Sequence, residues 1–119
     1  MKTEKIAKRL VALCRKAQWE TAQKELYALN AVSTEPYATP NFSKVTKGRA
    51  KIIKKGQVFG AMVEKMHSLK VSAPVVADNS FACTMSMDVT MKGQGRMKMS
   101  ELCVYEVKDG KIVSEQFHL

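Results

Sequence analysis

The chain has 119 residues and a mass of 13.3 kDa, which is enough for one domain and too short for two. Its composition, 45% hydrophobic and 26% charged, is typical of a globular domain and excludes a disordered or fibrous chain. No apolar run approaches the roughly 18 residues that a membrane span requires, and the N-terminal segment is charged throughout. We therefore expect neither a membrane anchor nor a secretory signal.

Basic residues outnumber acidic ones, with 20 Lys+Arg against 11 Asp+Glu and a formal net charge of +9. Six of the cations lie between Lys44 and Lys55 with no acid among them, and a second group flanks Gly93 and Gly95. A groove for single-stranded nucleic acid would need aromatic residues between these cations, and the segment has none. A solvated basic face that meets an anionic ligand or partner is therefore favoured over nucleic-acid binding.

Cysteine and histidine usage gives no sign of a metal or redox centre. Cys14, Cys83 and Cys103 lie in apolar patterns without C-x-x-C spacing, which favours buried free thiols in a reducing cytoplasm over a redox pair. His67 and His118 lie far apart in the chain and form no ligand spacing. We expect a cytoplasmic protein with no metal and no other cofactor.

The first half of the chain has the apolar spacing of α-helices. Ile6, Leu10 and Leu13 recur at three and four residues, and Thr3 is the expected N-cap of this first helix. A second helix is predicted from Trp19 to Leu29, with Leu29 on its buried face.

The pattern then becomes extended from Ala31 to Pro36, and the prolines indicate a loop that reaches Ser43. Gly48 begins a predicted third helix of about twenty residues. Its apolar face would carry Ile52, Phe59, Val63 and Met66, and His67 would lie at its end.

The second half alternates with period two, which is typical of half-buried antiparallel strands. Turns are expected around Asp78, Gly93 and Gly110. The four predicted strands are Lys70–Ala77, Phe81–Met91, Met97–Val107 and Lys111–Leu119.

The last turn predicts the register of the final hairpin. A type I turn with Gly110 in the left-handed conformation would pair Val107 with Lys111. Cys103 would then lie opposite Glu115. Two residues further along each strand, Glu101 would lie opposite Phe117.

Alignment of the apolar faces predicts the register of the hairpin before it, with Met87 opposite Glu101. The methionines then form one continuous sheet face. Two carboxylates, Glu101 and Glu115, intrude into that face.

The order of elements resembles the cystatin-like α+β cone. The sequence is also similar to SnoaL-like families of the nuclear transport factor 2-like superfamily in three segments: Ala31-Val32-Ser33-Thr34-Glu35-Pro36, Lys47-Gly48-Arg49-Ala50 and residues 101–113. This resemblance covers essentially the whole chain and implies one SnoaL-like domain over residues 1–119. It implies three N-terminal helices packed in a strongly bent antiparallel or mixed sheet, a conical pocket between them, and frequent homodimers through the outer sheet face.

The superfamily includes polyketide cyclases, a ketosteroid isomerase and a scytalone dehydratase, alongside members that only bind, so the fold alone does not assign a function. Glu101 and Glu115 are the candidate catalytic residues, because a carboxylate in a desolvated pocket has a raised pKa that suits a general base. The alternative is that both acids bond to backbone, to Tyr105 or to a buried cation. The candidate ligand-binding residues, which share the apolar interior, are Trp19, Met85, Met87, Met99, Tyr105 and Phe117.

Two functions remain open at this point. In the first, the protein binds a small, largely apolar or amphipathic molecule in the cone, and isomerase- or cyclase-like acid/base chemistry is the catalytic form of this function. Alternatively, it is a non-catalytic dimeric interaction module that uses the basic surface, with the cone filled by its own side chains. A contiguous cavity reached by Glu101 favours the first. Leu102, Val104 and Ile112 on the outer sheet face predict a homodimer in either case.

Overall fold

The computed structural model describes residues 2–119, which form three α-helices and seven β-strands. The elements in chain order are α1 (Thr3–Arg15), α2 (Trp19–Leu26), β1 (Tyr27–Thr34), β2 (Val45–Lys47), α3 (Arg49–Met62), β3 (Val63–Val71), β4 (Val75–Ala77), β5 (Ser80–Met91), β6 (Gly95–Lys108) and β7 (Lys111–His118). The strands form one sheet in the order β2-β1-β7-β6-β5-β3, with β4 beside β5. All strand pairs are antiparallel except β1 and β7, which are parallel. The predicted α+β class, with three helices and a mixed sheet, is confirmed.

Helix α1 packs the apolar face that its spacing predicts. The buried residues of this helix are Ile6, Ala7, Leu10, Val11, Leu13 and Cys14. Lys2 is the N-cap and Thr3 the first helical residue, so the predicted cap lies one position too late.

Helix α2 is shorter than predicted because it ends at Leu26, and the chain continues directly as β1. Within β1, Tyr27, Ala31 and Ser33 are buried, whereas Leu29 is 75% exposed. The prediction of a buried Leu29 is therefore wrong. Pairing of β1 with β7 outweighs the helical spacing of this segment.

Helix α3 begins after Gly48 as predicted, where a φ of 99° suits glycine. It ends at Met62, and β3 then pairs with β5, so the predicted length of this helix is wrong. Val63 and Met66 therefore lie in a strand. His67 also lies in β3 rather than at a helix end, and its Nε2 is 2.7 Å from Thr90 Oγ1.

The hairpin of β5 and β6 keeps the predicted face but not the predicted register. Met85, rather than Met87, lies opposite Glu101. Cys83 lies opposite Cys103, so the pairing differs from the prediction by two residues. Side chains alternate with period two, and a shift of two therefore leaves the same residues on the inner face.

The final hairpin also differs from its predicted register. Asp109 and Gly110 both have positive φ, 51° and 76°, and form a two-residue turn between Lys108 and Lys111. A register shift follows between Glu106 and Val107. This shift changes which residues of β7 face inward.

Beyond the shift, Glu115 lies opposite Tyr105, and Phe117 lies opposite Cys103. The predicted pairs of Glu115 with Cys103 and of Phe117 with Glu101 are therefore wrong. Ile112 has no exposed surface and belongs to the core, so its predicted place on the outer face is also wrong.

Candidate functional site

A cavity of about 680 Å³ lies between the three helices, the segment that joins β1 to β2, and the inner face of β5, β6 and β7. Helix α3 contributes Ile52, Phe59 and Met62, and the segment between β1 and β2 contributes Pro40 and Phe42. Most of the wall is apolar. All eight site residues predicted from the sequence line this cavity, namely Trp19, Met85, Met87, Met99, Glu101, Tyr105, Glu115 and Phe117.

Alternation along β6 brings Glu101 to the cavity. Met99, Cys103 and Tyr105 share its parity and its side of the sheet, and Met85 of β5 is its direct neighbour. The predicted parity of Glu101 therefore agrees with the structure.

Glu115 of β7 is only 4% exposed and belongs to a buried hydrogen-bond network. The hydroxyl group of Tyr27 donates a hydrogen bond to its carboxyl group, and Ser33, also from β1, lies opposite Glu115 in the neighbouring strand. Burial raises the pKa of Glu115, and the nearby hydroxyl groups of Ser33 and Tyr27 oppose part of that rise. The polar partner of this acid is therefore Tyr27. Tyr105 instead stacks on Phe81, with ring centroids 4.7 Å apart.

Lys55 of α3 extends the network. Its Nζ atom donates to Ser33 Oγ at 2.7 Å and to Glu35 Oε2 at 2.8 Å. The same ammonium lies 5.7 Å from the ring centroid of Phe117. We call the connected set Glu35, Lys55, Ser33, Glu115 and Tyr27 the buried polar network.

Glu101 lies beside this network but is not bonded to it. No hydrogen bond within residues 2–119 holds its carboxyl group. Burial raises the pKa of Glu101 to about 7, the carboxylates of Glu35 and Glu115 add to the rise, and Lys55 opposes it. A carboxyl group with this pKa is present in both protonation states near neutral pH and can accept or donate a proton.

Four members of the network were not among the site residues predicted from the sequence, namely Tyr27, Ser33, Glu35 and Lys55. Two signals in the sequence point to three of them. Ser33 and Glu35 continue the period-two parity of the buried Ala31. Lys55 lies three residues after Ile52 and four before Phe59, so the three side chains share one face of α3. All three line the cavity.

A helix long and apolar enough to cross a membrane does not occur in residues 2–119.

The sheet topology and the cavity define an α+β protein with a ligand-sized cavity between its helices and its sheet. The chain belongs to the SnoaL-like domain family, which it matches over residues 1–119. No curated protein matches the chain.

Solved structures agree with this assignment. A protein from Mesorhizobium loti is 30% identical to this chain, with a TM-score of 0.91 over 100% of both chains. The name of that protein calls it a SnoaL-like polyketide cyclase and also gives the words carbohydrate phosphatase. A nuclear transport factor 2-like protein from Burkholderia thailandensis is 16% identical, with a TM-score of 0.82 over 99% of this chain and 90% of its own. A protein from Catenulispora acidiphila with a ketosteroid isomerase-like fold, solved with trimethylamine, is 15% identical, with a TM-score of 0.74 over 96% of this chain and 84% of its own. The last two show similarity of fold alone.

Proposed function

We propose that the protein binds a small, largely apolar molecule in the cavity and that Glu101 exchanges a proton with the polar group of that molecule. The observation that carries this proposal is a contiguous, mostly apolar cavity that contains a carboxyl group to which nothing in residues 2–119 bonds. A volume of about 680 Å³ lies within the range of small-molecule sites. Acid/base chemistry of the isomerase or cyclase type is the catalytic form of this function.

The lining residues have distinct roles in the proposal. Glu101 makes the polar contact, because its carboxyl group is free to bond to a ligand. Met85, Met87 and Met99 form an adaptable apolar wall, since methionine side chains adjust to irregular shapes. Trp19, Tyr105 and Phe117 supply flat apolar surface.

Glu115 has a second role within the proposal. The hydrogen bond from Tyr27 holds its carboxyl group in one orientation, and burial raises its pKa. It therefore lies fixed beside Glu101 and is not the group that contacts the ligand.

A cavity of this size favours ligand binding over the interaction module whose cone is filled by its own side chains. The proposal also includes a homodimer through the outer sheet face, where Leu102 is 42% exposed and Val104 is half-buried. Cytoplasmic location is part of the same proposal and is supported by three buried cysteines that are all free.

Native mass spectrometry of the purified protein tests this function. We expect a co-purified small molecule in the wild type that is lost from Glu101→Gln. Glu106→Gln is the matched control, because Glu106 lies on the same strand, is exposed and does not line the cavity. Equal retention by both variants would refute the role of Glu101, and the absence of any bound compound together with no binding of the probes below would refute the function.

A further inference from the structure

The cavity has the opposite charge balance to the rest of the chain. The whole sequence carries 20 Lys+Arg against 11 Asp+Glu. Among residues 2–119, by contrast, the charged residues that line the cavity are one cation, Lys55, and four acids, Glu20, Glu35, Glu101 and Glu115. A basic protein that lines its ligand cavity with acids does not favour an anionic ligand there.

The one cation of the lining is already bonded within the protein. Lys55 donates to Glu35 Oε2 at 2.8 Å and to Ser33 Oγ at 2.7 Å. Its charge is therefore offset by Glu35. An anionic ligand would have to break this ion pair to use Lys55, whereas a cationic ligand would leave it intact.

Two of the remaining three acids are also satisfied within the protein. Tyr27 donates to Glu115. Lys24 and Gln57 bond to Glu20 at 3.0 Å and 2.8 Å, where the side chain is exposed. Glu101 is thus the one carboxyl group of the described lining that has no bonded partner.

Aromatic rings complete the chemistry that a cation requires. Trp19, Phe42, Phe59 and Phe117 all line the cavity. The ammonium of Lys55, at 5.7 Å from the Phe117 centroid, shows that a ring of this wall already accepts a cation at close range. Rings and an unpartnered carboxylate together suit a positively charged nitrogen attached to an apolar body.

We propose that the ligand of this cavity is a hydrophobic amine in its ammonium form, with Glu101 as the acceptor of its N–H groups and the aromatic wall around its apolar body. The inference rests on the proposed function and narrows it to one ligand class. The charged groups that face Glu101 are Glu35 from the segment after β1, Lys55 from α3 and Glu115 from β7, with the thiol of Cys103 on its own strand. The facing residue of β5 is the uncharged Met85.

Three probes with one aromatic body and different polar groups test the inference: naphthylethylamine, naphthylethanol and naphthylacetate. Their dissociation constants are measured by isothermal titration calorimetry at constant ionic strength. At about pH 8 we expect the amine to bind roughly tenfold or more tightly than the alcohol, and the carboxylate to bind most weakly. The preference should shrink at about pH 6, because Glu101 takes up a proton while the amine stays charged.

Variants assign the preference to one residue. Glu101→Gln should abolish the preference for the amine over the alcohol and leave the affinity of the alcohol within about twofold. Glu106→Gln should keep the preference unchanged, since its carboxyl group is exposed and outside the cavity. The pH dependence of the wild type gives the same information if Glu101→Gln does not fold.

The outcomes separate the two proposals. An alcohol that binds as tightly as the amine, or a carboxylate that binds more tightly, overturns the amine inference and leaves the proposed function standing. Failure of all three probes to bind overturns the inference, and it overturns the proposed function as well only if the purified protein also carries no co-purified compound. An amine preference that survives in Glu101→Gln assigns the cation to another acid of the lining and overturns the role of Glu101.

Discussion

Glu101 and Glu115 show how two carboxyl groups on the same sheet face acquire different properties. Glu115 is almost fully buried, and the hydroxyl group of Tyr27 donates to it. Glu101 is half-buried, and no hydrogen bond within residues 2–119 holds its carboxyl group. Desolvation raises the pKa of both, but of these two carboxyl groups only that of Glu101 has no bonded partner among the described residues. The free energy of folding therefore responds to the ionisation of Glu101 in a direction that can be measured.

The pH dependence of stability distinguishes a ligand-binding acid from a structural one. The pKa of Glu101 rises from an ordinary value of 4.5 to about 7 in the folded protein, so the folded state binds its proton more tightly than the unfolded state. The associated stability is fully present below about pH 4.5 and is lost as the pH rises through about 7. At about pH 8, Glu101→Gln should therefore unfold less readily than the wild type, by about 1–3 kcal/mol after allowance for solvent screening of this half-buried group.

Urea unfolding at several pH values measures this effect, and the difference between wild type and Glu101→Gln removes the contribution of Glu115. The difference should vanish at about pH 4 and grow towards pH 8, whereas Glu106→Gln should follow the wild type throughout. A loss of roughly 2–5 kcal/mol in Glu101→Gln at neutral pH would identify a structural acid and contradict the proposal.

At this scale the sequence predicts which side chains reach the cavity better than it predicts their partners. Parity along β5, β6 and β7 depends only on neighbouring residues, so the placement of Glu101 and Met85 follows from alternation. The polar surroundings of Glu115 depend on Tyr27, which bonds to it, and on Ser33, which lies opposite it, and both are more than 80 positions away in the chain. No local pattern encodes a contact of that separation.

Helices and strands were predicted correctly where one periodicity dominates and wrongly where two are compatible. The segment from Val63 to Val71 has apolar residues that fit a helix face, and it also supplies the edge partner of β5. Long-range pairing determines the secondary structure of such a segment, because a strand gains hydrogen bonds along the whole length of its neighbour. The predicted strand registers were wrong for a related reason, since every even shift of one strand along its neighbour satisfies the same apolar alignment.

Two glycines predict opposite effects of the same substitution. Gly110 lies in the turn between β6 and β7 with a φ of 76°, which strains any residue with a Cβ atom. Gly60 lies near the end of α3, is exposed, and a Cβ atom there would have nothing within 4 Å. Gly110→Ala should lower the free energy of unfolding by about 1–2 kcal/mol, and Gly60→Ala should raise it by roughly 0.5–1 kcal/mol.

Thermal unfolding followed by circular dichroism compares the two variants directly. Each serves as the control for the other, because both add one methyl group to the same chain. A stabilising Gly110→Ala would contradict the two-residue turn at Asp109 and Gly110, and with it the register that places Glu115 opposite Tyr105.

The whole molecule separates its charges, with a net charge of +9 overall and mostly acidic charged groups around the cavity. The two faces of the sheet also differ from each other in composition. The inner face carries the apolar wall of the cavity, and the outer face of β5 and β6 carries Thr84, Leu102 and Val104. A mixed surface with exposed apolar side chains suits contact with a second copy, and it leaves the cavity on the opposite side of the sheet open.

Sedimentation at micromolar concentration should therefore show a species of about twice 13.3 kDa. Leu102 is 42% exposed at this face. Leu102→Glu would place a buried charge in the interface, and we expect this variant to sediment as a monomer. Leu29→Glu is the control, because Leu29 is 75% exposed but lies on β1, away from β5 and β6. The monomeric variant should still bind naphthylethylamine, since Leu102 does not line the cavity. A wild type that sediments only at 13.3 kDa would refute the dimer without affecting the proposed ligand site.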